Sequence, residues 1–269
     1  MSNNGIKLKL IFLILSMLFK DSTLTQVVLA GGKGKVGLGI LKNLISNSFN
    51  VTLLSRNESK NIEDFKGYPG SFNEIRCDIT KQDELSSAID CCTKTSPISA
   101  FINSTGFRPS VNNKNITLDD WQKSILVNSL LLHVPTQNFT NYFLENKIKG
   151  SIVTISSIYG LVAPTFNIYR ETPYTTEPDY AYNKAAAIGY MRYMASLYAE
   201  HEIRFNTVCP GGIFSNQDPN FIKNYTSTIP IKRIADSSDI GGIVSFLCSP
   251  NSSYITGTVI PVDGGWTAQ

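Results

Sequence analysis

From Gln26 to Ile45 a β-branched run, a glycine-rich turn and an amphipathic stretch follow one another without a gap, an order that few folds accommodate. Gln26–Ala30 (QVVLA) is short, mostly apolar and closed by glycines, the pattern of a strand buried on both faces of a parallel sheet. Val36, Ile40, Leu41, Leu44 and Ile45 then fall on one helical face. The alternation recurs. Further strands are expected at Val51–Leu54, Ser99–Ile102, Ile152–Ile155, Phe205–Val208 and Val259–Val262, with helices around Lys81–Thr93, Leu118–Leu132 and Tyr180–Glu200. Such alternation predicts an α/β fold, one doubly wound parallel sheet with helices on both faces. No repeat, low-complexity tract or linker interrupts residues 25–269, which read as one domain. Tyr159–Asp179 and Ser215–Ile229 lack periodicity and read as long loops, which in a compact domain usually carry function.

Residues 1–24 stand apart. Leu8–Phe19 is almost wholly apolar behind Lys7 and Lys9. It is shorter than the ~20 residues a bilayer span needs. Lys20-Asp21-Ser22-Thr23 follows it where a signal peptide would show small residues for cleavage. The reading adopted is a start at Met17 and a cytoplasmic protein, with a signal segment or a membrane anchor as alternatives. Composition narrows the classes further. Of 269 residues 42% are hydrophobic and 17% charged, which excludes an intrinsically disordered chain. The net charge of +3 comes from scattered basic residues, so no nucleic-acid partner is expected. The five cysteines have neither the spacing of a zinc site nor the even count of a disulfide framework, and no metal is expected.

The turn Gly31-Gly32-Lys33-Gly34-Lys35-Val36-Gly37 lies between a strand and a helix, where glycines let the backbone approach a pyrophosphate and helix amides meet its charge. This makes the sheet Rossmann-type and the ligand a dinucleotide. At the end of the second strand stand Ser55 and Arg56 rather than an acid. A carboxylate there would bind ribose hydroxyls and repel a 2′-phosphate, whereas a hydroxyl and a guanidinium attract one. Lys33 and Lys35 add positive charge nearby, so NADP is expected rather than NAD.

Of the twelve tyrosines only Tyr180 has a lysine, Lys184, four residues on in a helical run, which puts both on one face. An adjacent ammonium favours the phenolate and lowers the tyrosine pKa, making an acid/base for an alcohol or carbonyl oxygen. Ser156-Ser157 ends a strand upstream and reaches the same oxygen, and Asn128 on the preceding helix offers an amide for a proton-relay water. His133 and His201 are isolated and read as structural or surface groups. Trp121 and the Tyr190, Tyr193, Met194, Leu197 stripe read as core or subunit contact.

With these motifs in place the sequence from Gln26 onward resembles the short-chain dehydrogenase/reductase family. The resemblance places the catalytic tetrad on Asn128, Ser157, Tyr180 and Lys184. It places cofactor contacts on Gly31, Gly32, Gly34, Lys35, Val36 and Gly37, on Ser55 and Arg56, on Asp78 and Ile79, on Asn103 of Asn103-Ser104-Thr105-Gly106, on Tyr180 and Lys184, and on Pro210, Gly211, Ile213 and Ser215. It implies a homodimer or homotetramer. Departures from the family pattern are Ala30 for Thr, Lys35 for the middle Gly, and Ser104-Thr105 for Asn-Ala. The Ser157-to-Tyr180 interval is about ten residues longer than usual. That insert, with Gly211–Gln217, resembles a bacterial subgroup associated with flagellin modification and surface sugars, which implies a sugar-derived small-molecule substrate. Within it, Phe166, Tyr169 and Tyr174 suit a sugar ring, and Arg170 suits an anionic group unless it pairs with Glu171. The rival to a reductase is a nucleotide-binding sensor or scaffold without turnover.

Overall fold

The computed structural model describes residues 26–57, 65, 67–109 and 116–269. The apolar segment and the Met17 start lie outside the described residues. Strands β1 (Gln26–Ala30), β2 (Asn50–Ser55), β3 (Ser71–Arg76), β4 (Ile98–Asn103), β5 (Ser151–Ile155), β6 (Arg204–Pro210) and β7 (Val259–Val262) form one seven-stranded sheet in the order β3-β2-β1-β4-β5-β6-β7. Every pairing is parallel. Six α-helices connect them: α1 (Lys35–Ser46), α2 (Gln82–Thr93), α3 (Leu118–Glu145), α4 (Pro178–Leu197), α5 (Pro219–Thr228) and α6 (Ser238–Cys248).

Successive residues of β1 point to opposite faces, as strand geometry requires. Val28 joins Phe101, Ile152 and Phe205 against Leu85 of α2, Phe139 and Phe143 of α3, and Met191 of α4. Val27 and Leu29 join Leu53, Ile102 and Val208 against Ile40 and Leu44 of α1 and Val244 and Leu247 of α6. The first layer is tightest where Phe101 and Phe139, both fully buried, stack with ring centroids 4.1 Å apart. Phe139→Ala should lower unfolding stability by about 3–5 kcal/mol, measured by denaturant titration, because a rigid sheet cannot collapse into the void. A loss below about 1 kcal/mol would show that the layer repacks.

The strand order reverses between β1 and β4, and the crevice beyond the carboxyl ends of two such strands is where open α/β sheets bind ligands. Ala30 is in register with Asn103, and the Ala30 carbonyl accepts from Ser104 N–H at 2.9 Å. The two loops that resemble the family motifs therefore leave the sheet side by side.

Four elements differ from the sequence expectation. β3 is an added edge strand, half-exposed and polar, with no apolar run to mark it. Helix α3 continues past Leu132 to Glu145 although Pro135 lies inside it. Proline deprives the Leu131 carbonyl of its helical donor, and the buried Asn103 side chain supplies one at 2.8 Å. Helix α5 occupies most of the stretch read as the second long loop, started by Asp218, whose carboxylate accepts from Asn220 N–H. Helix α6 carries Gly241, where a Cβ would sit 2.4 Å from Asn43 Cβ of α1. Glycine there is the condition of close packing rather than a helix stop. Tyr159–Asp179 stays largely irregular, with short 3₁₀ turns at Ile158–Gly160 and Phe166–Tyr169.

Candidate active site

Two clefts of about 520 Å³ each open beyond the carboxyl ends of the strands, with Ser104–Phe107 as a common wall. One runs over β1 and β2 and is walled by Gly31, Gly32, Gly34, Ser55, Arg56, Asp78 and Ile79. Gly34 is the N-cap of α1 and no side chain caps the amides that follow it. The start of a helix is thereby open to an anion. Burial opposes ionisation of Asp78, yet two hydrogen bonds from Thr80 and the charge of Arg56 hold its carboxyl below the ordinary carboxylate value.

The basic residues here act differently from expectation. Lys33 forms an ion pair with Glu74 of β3 at 2.7 Å. The Ser55 hydroxyl donates to the Asn57 carbonyl at 2.8 Å and is also hydrogen-bonded to Glu74. Strand register thus brings an acid to the end of β2 that local sequence does not show. Lys35 is off both cleft walls, and its charge acts on Asp236. Among the described residues, Arg56, exposed on the cleft wall, is the cation that remains. Gly37 lies beneath the turn and touches Gly31 and Gly32 rather than facing the cleft.

The second cleft gathers Asn128, Ser157, Tyr180 and Lys184 with Val36, Pro210, Gly211 and Ile213. Tyr180 and Lys184 stand one turn apart on α4, which begins with Pro178 in its first turn. The Lys184 ammonium donates to the Ile155 carbonyl at 3.0 Å, and the Ser156 hydroxyl donates to the Lys184 carbonyl at 2.7 Å. The helix is so fastened to the end of β5, where Ser157 lies. Burial alone would raise the Tyr180 pKa. The charges of Lys184 and Arg108 and hydrogen bonding from Ser157 outweigh it and hold the phenol below the ordinary tyrosine value. Tyr159, Tyr169 and Tyr225 share this cleft, and burial raises all three. Of these four cleft tyrosines Tyr180 is the one whose proton is loosened rather than held more tightly, as an acid/base requires. Burial lowers the Lys184 pKa, opposed by the attraction of Tyr180. Cys209 nearby is pushed up to about 11 by burial and stays a thiol.

Three expectations about polar residues are corrected. The Asn128 amide is engaged at both ends: its oxygen accepts from Phe107 N–H at 2.9 Å, and its nitrogen donates to the Phe107 and Ser124 carbonyls at 2.9 Å. It clamps the loop after β4 instead of presenting its amide to a relay water. Asn103 is buried and walls neither large cleft; its oxygen accepts from the Thr105 amide and hydroxyl, and its nitrogen holds Leu131. It shapes the cofactor-side loop from behind. Ser215 is exposed, outside both clefts, with its N–H on Gln217.

In the insert, Tyr169 reaches the cleft and its hydroxyl bonds that of Tyr159 at 2.8 Å. Arg170 does not reach it. Arg170 is exposed, its carbonyl accepts from Asn224, and among the described residues it forms no ion pair with Glu171. Phe221 and Tyr225 of α5 complete an aromatic wall that the sequence pattern did not reveal. Arg108, also missed, places its guanidinium carbon 3.7 Å from the Tyr180 ring centroid. Its position directly after Gly106-Phe107 was the available signal.

A family model described as enoyl-(acyl carrier protein) reductase matches residues 33–267. The chain belongs to the short-chain dehydrogenase/reductase family. It is an oxidoreductase. It is 29% identical over 250 residues to post-translational flagellin modification protein A of Campylobacter coli, covering 89% of this chain and 97% of that one. It is 28% identical to glucose 1-dehydrogenase of Gluconobacter oxydans strain 621H, covering 90% and 91%. Among solved structures, a short chain dehydrogenase from Leptospira borgpetersenii with bound NAD+ superposes with a TM-score of 0.80 at 30% identity, covering 90% of this chain and 92% of that one.

Proposed function

We propose that this short-chain dehydrogenase/reductase uses NADP to interconvert an alcohol and a carbonyl on a small sugar-derived substrate. The observation that carries the reading is the convergence of Ser157, Tyr180 and Lys184 in a cleft that shares a wall with the glycine-turn cleft. The residues present fit a nicotinamide dinucleotide: the uncapped start of α1 suits the pyrophosphate, Asp78 and Ile79 flank the adenine end, and Arg56 suits a 2′-phosphate. When bound, the cofactor supplies a hydride donor or acceptor at nicotinamide C4. Tyr180 gives its phenolic proton to the substrate oxygen in reduction and takes it back in oxidation. Ser157 orients that oxygen, and Lys184 keeps the phenolate accessible and would hold the ribose hydroxyls of the bound cofactor. Asn128 holds the Phe107 backbone against the cleft.

The aromatic wall of Tyr159, Tyr169 and Phe221 suits the apolar face of a sugar ring, and the name of the Gluconobacter relative, a glucose 1-dehydrogenase, supports that substrate class. Residues 25–269 act as one nucleotide-binding domain. Leu126 and Leu130 of α3 and Tyr193 and Leu197 of α4 are exposed apolar residues, in keeping with a homodimer or homotetramer. Among the described residues no helix is long and apolar enough to cross a membrane, and a cytoplasmic location agrees with a requirement for NADP.

Cofactor choice supplies the test. A charge-assisted contact contributes about 1.5–3 kcal/mol, so NADPH should bind at least about tenfold tighter than NADH in a fluorescence titration. Arg56→Ala should remove most of that preference. Glu74→Gln should strengthen it, because Lys33 then loses the acid that neutralises it. Equal affinities in the wild type would overturn NADP as the cofactor, and a preference for NADH would assign Glu74 the role of the ribose-binding acid.

A further inference from the structure

Arg108 lies in the reaction cleft but not on the wall of the glycine-turn cleft. Its guanidinium carbon stands 3.7 Å from the Tyr180 ring centroid and the group also hydrogen-bonds the phenol, which engages part of its five-donor fork and leaves the remaining N–H groups for an acceptor. Among the described residues no carboxylate lies within ion-pairing distance of it. Among the described residues, the wall of this cleft includes two cations, Arg108 and Lys184, and no aspartate or glutamate. Lys184 already donates to the Ile155 carbonyl. The loop that carries Arg108 is not slack, because the Asn128 amide grips the preceding residue, Phe107, by both its N–H and its carbonyl. An exposed, positioned guanidinium at the mouth of an acid-free cleft matches a planar, bidentate acceptor.

We propose that Arg108 is the anchor for an anionic group, a carboxylate or a phosphate, on the substrate. This rests on the reading of the cleft as the substrate site and narrows it to anionic substrates. It also moves anion recognition from Arg170 to a residue that touches the acid/base. A seated anion offsets the charge that Arg108 places over Tyr180 and so raises the proton affinity of the phenol. The other groups facing Tyr180 are Lys184 on its own helix, Tyr159 on the turn after β5 and Tyr169 in the insert, with Glu177 acting through Tyr169.

The test is a tyrosinate absorbance titration of the NADP+-loaded protein, whose own pyrophosphate cradle is then filled. The probes are inorganic phosphate, glucuronate and, as the neutral control, glucose. In the wild type one tyrosine should titrate below the ordinary value, and phosphate or glucuronate should raise its midpoint while glucose should not. In Arg108→Gln the midpoint should already be raised, by about tenfold or more in proton affinity, and neither anion should move it. Arg108→Lys should keep the low midpoint but bind both anions more weakly, having lost the fork. A response to phosphate alone names a phosphorylated substrate, and a response to glucuronate alone names a carboxylate. An anion effect that persists in Arg108→Gln, or anions without effect on the wild type, would overturn the anchor. Failure of NADP+ to bind, or survival of the low-titrating tyrosine in Tyr180→Phe, would instead overturn the underlying assignment of cofactor and acid/base.

Discussion

Tyr180→Phe should abolish nearly all turnover while leaving NADPH affinity intact. The change deletes one oxygen and keeps the ring on which Arg108 stacks and against which Tyr159 packs edge-on at 6.4 Å. The cleft therefore keeps its shape and loses only its transferable proton. A positioned acid or base typically contributes 10²–10⁴-fold, and the rate should fall by about that amount. Tyr159 and Tyr169 do not substitute, because burial pushes both phenols up rather than down. Turnover within a few-fold of wild type would show that Tyr180 is not the acid/base. Steady-state rates on any accepted alcohol or carbonyl, paired with NADPH titration, make the measurement. Oxidation needs the phenolate, so its rate should rise as pH increases through a midpoint below that of an ordinary tyrosine. Reduction needs the phenol and should decline over the same window.

Gly37→Ala should damage the cofactor cleft strongly from beneath the turn. A Cβ at this position would lie 2.2 Å from the Gly31 carbonyl oxygen and 2.6 Å from the Gly32 Cα, both backbone atoms that no rotamer change can move aside. The first turn of α1 must then withdraw from β1, taking with it the amides that suit the pyrophosphate. Overpacking costs about 1–3 kcal/mol, and if that strain falls on the bound state NADPH binding weakens by about ten- to a hundredfold. Thermal denaturation with and without NADPH separates the two effects: ligand stabilisation should shrink more than the unliganded Tm. An unchanged NADPH affinity would mean that the turn is not the cradle.

Much of this architecture was legible because it rests on short-range patterns. Six of the seven strands are apolar runs closed by glycine or polar residues, and Tyr180 and Lys184 are joined by helical spacing alone. What was hidden depends on partners distant in sequence. The Leu131 carbonyl, freed by Pro135, is satisfied by Asn103 across the sheet, so a helix continues where proline signals a stop. Helix α6 was not expected from the sequence, and its Gly241 packs closely against Asn43 of α1. Glu74 reaches Lys33 and Ser55 from a polar edge strand that lacks a strand signature, and it changes what Lys33 does. Arg108 and Arg170 show the same limit for function. Both are basic residues near candidate catalytic motifs in sequence, but only the loop clamped by Asn128 brings its arginine to Tyr180.

A crystal structure of the NADP+ complex tests the central claim most directly. The expected result is one nucleotide spanning both clefts, with its pyrophosphate on the Gly31–Gly34 turn, its 2′-phosphate on Arg56 and its nicotinamide ring between Pro210-Gly211 and the Tyr180 hydroxyl. A nicotinamide ring placed away from Tyr180 and Lys184, with those two residues touching neither cofactor nor the space beside C4, would contradict it.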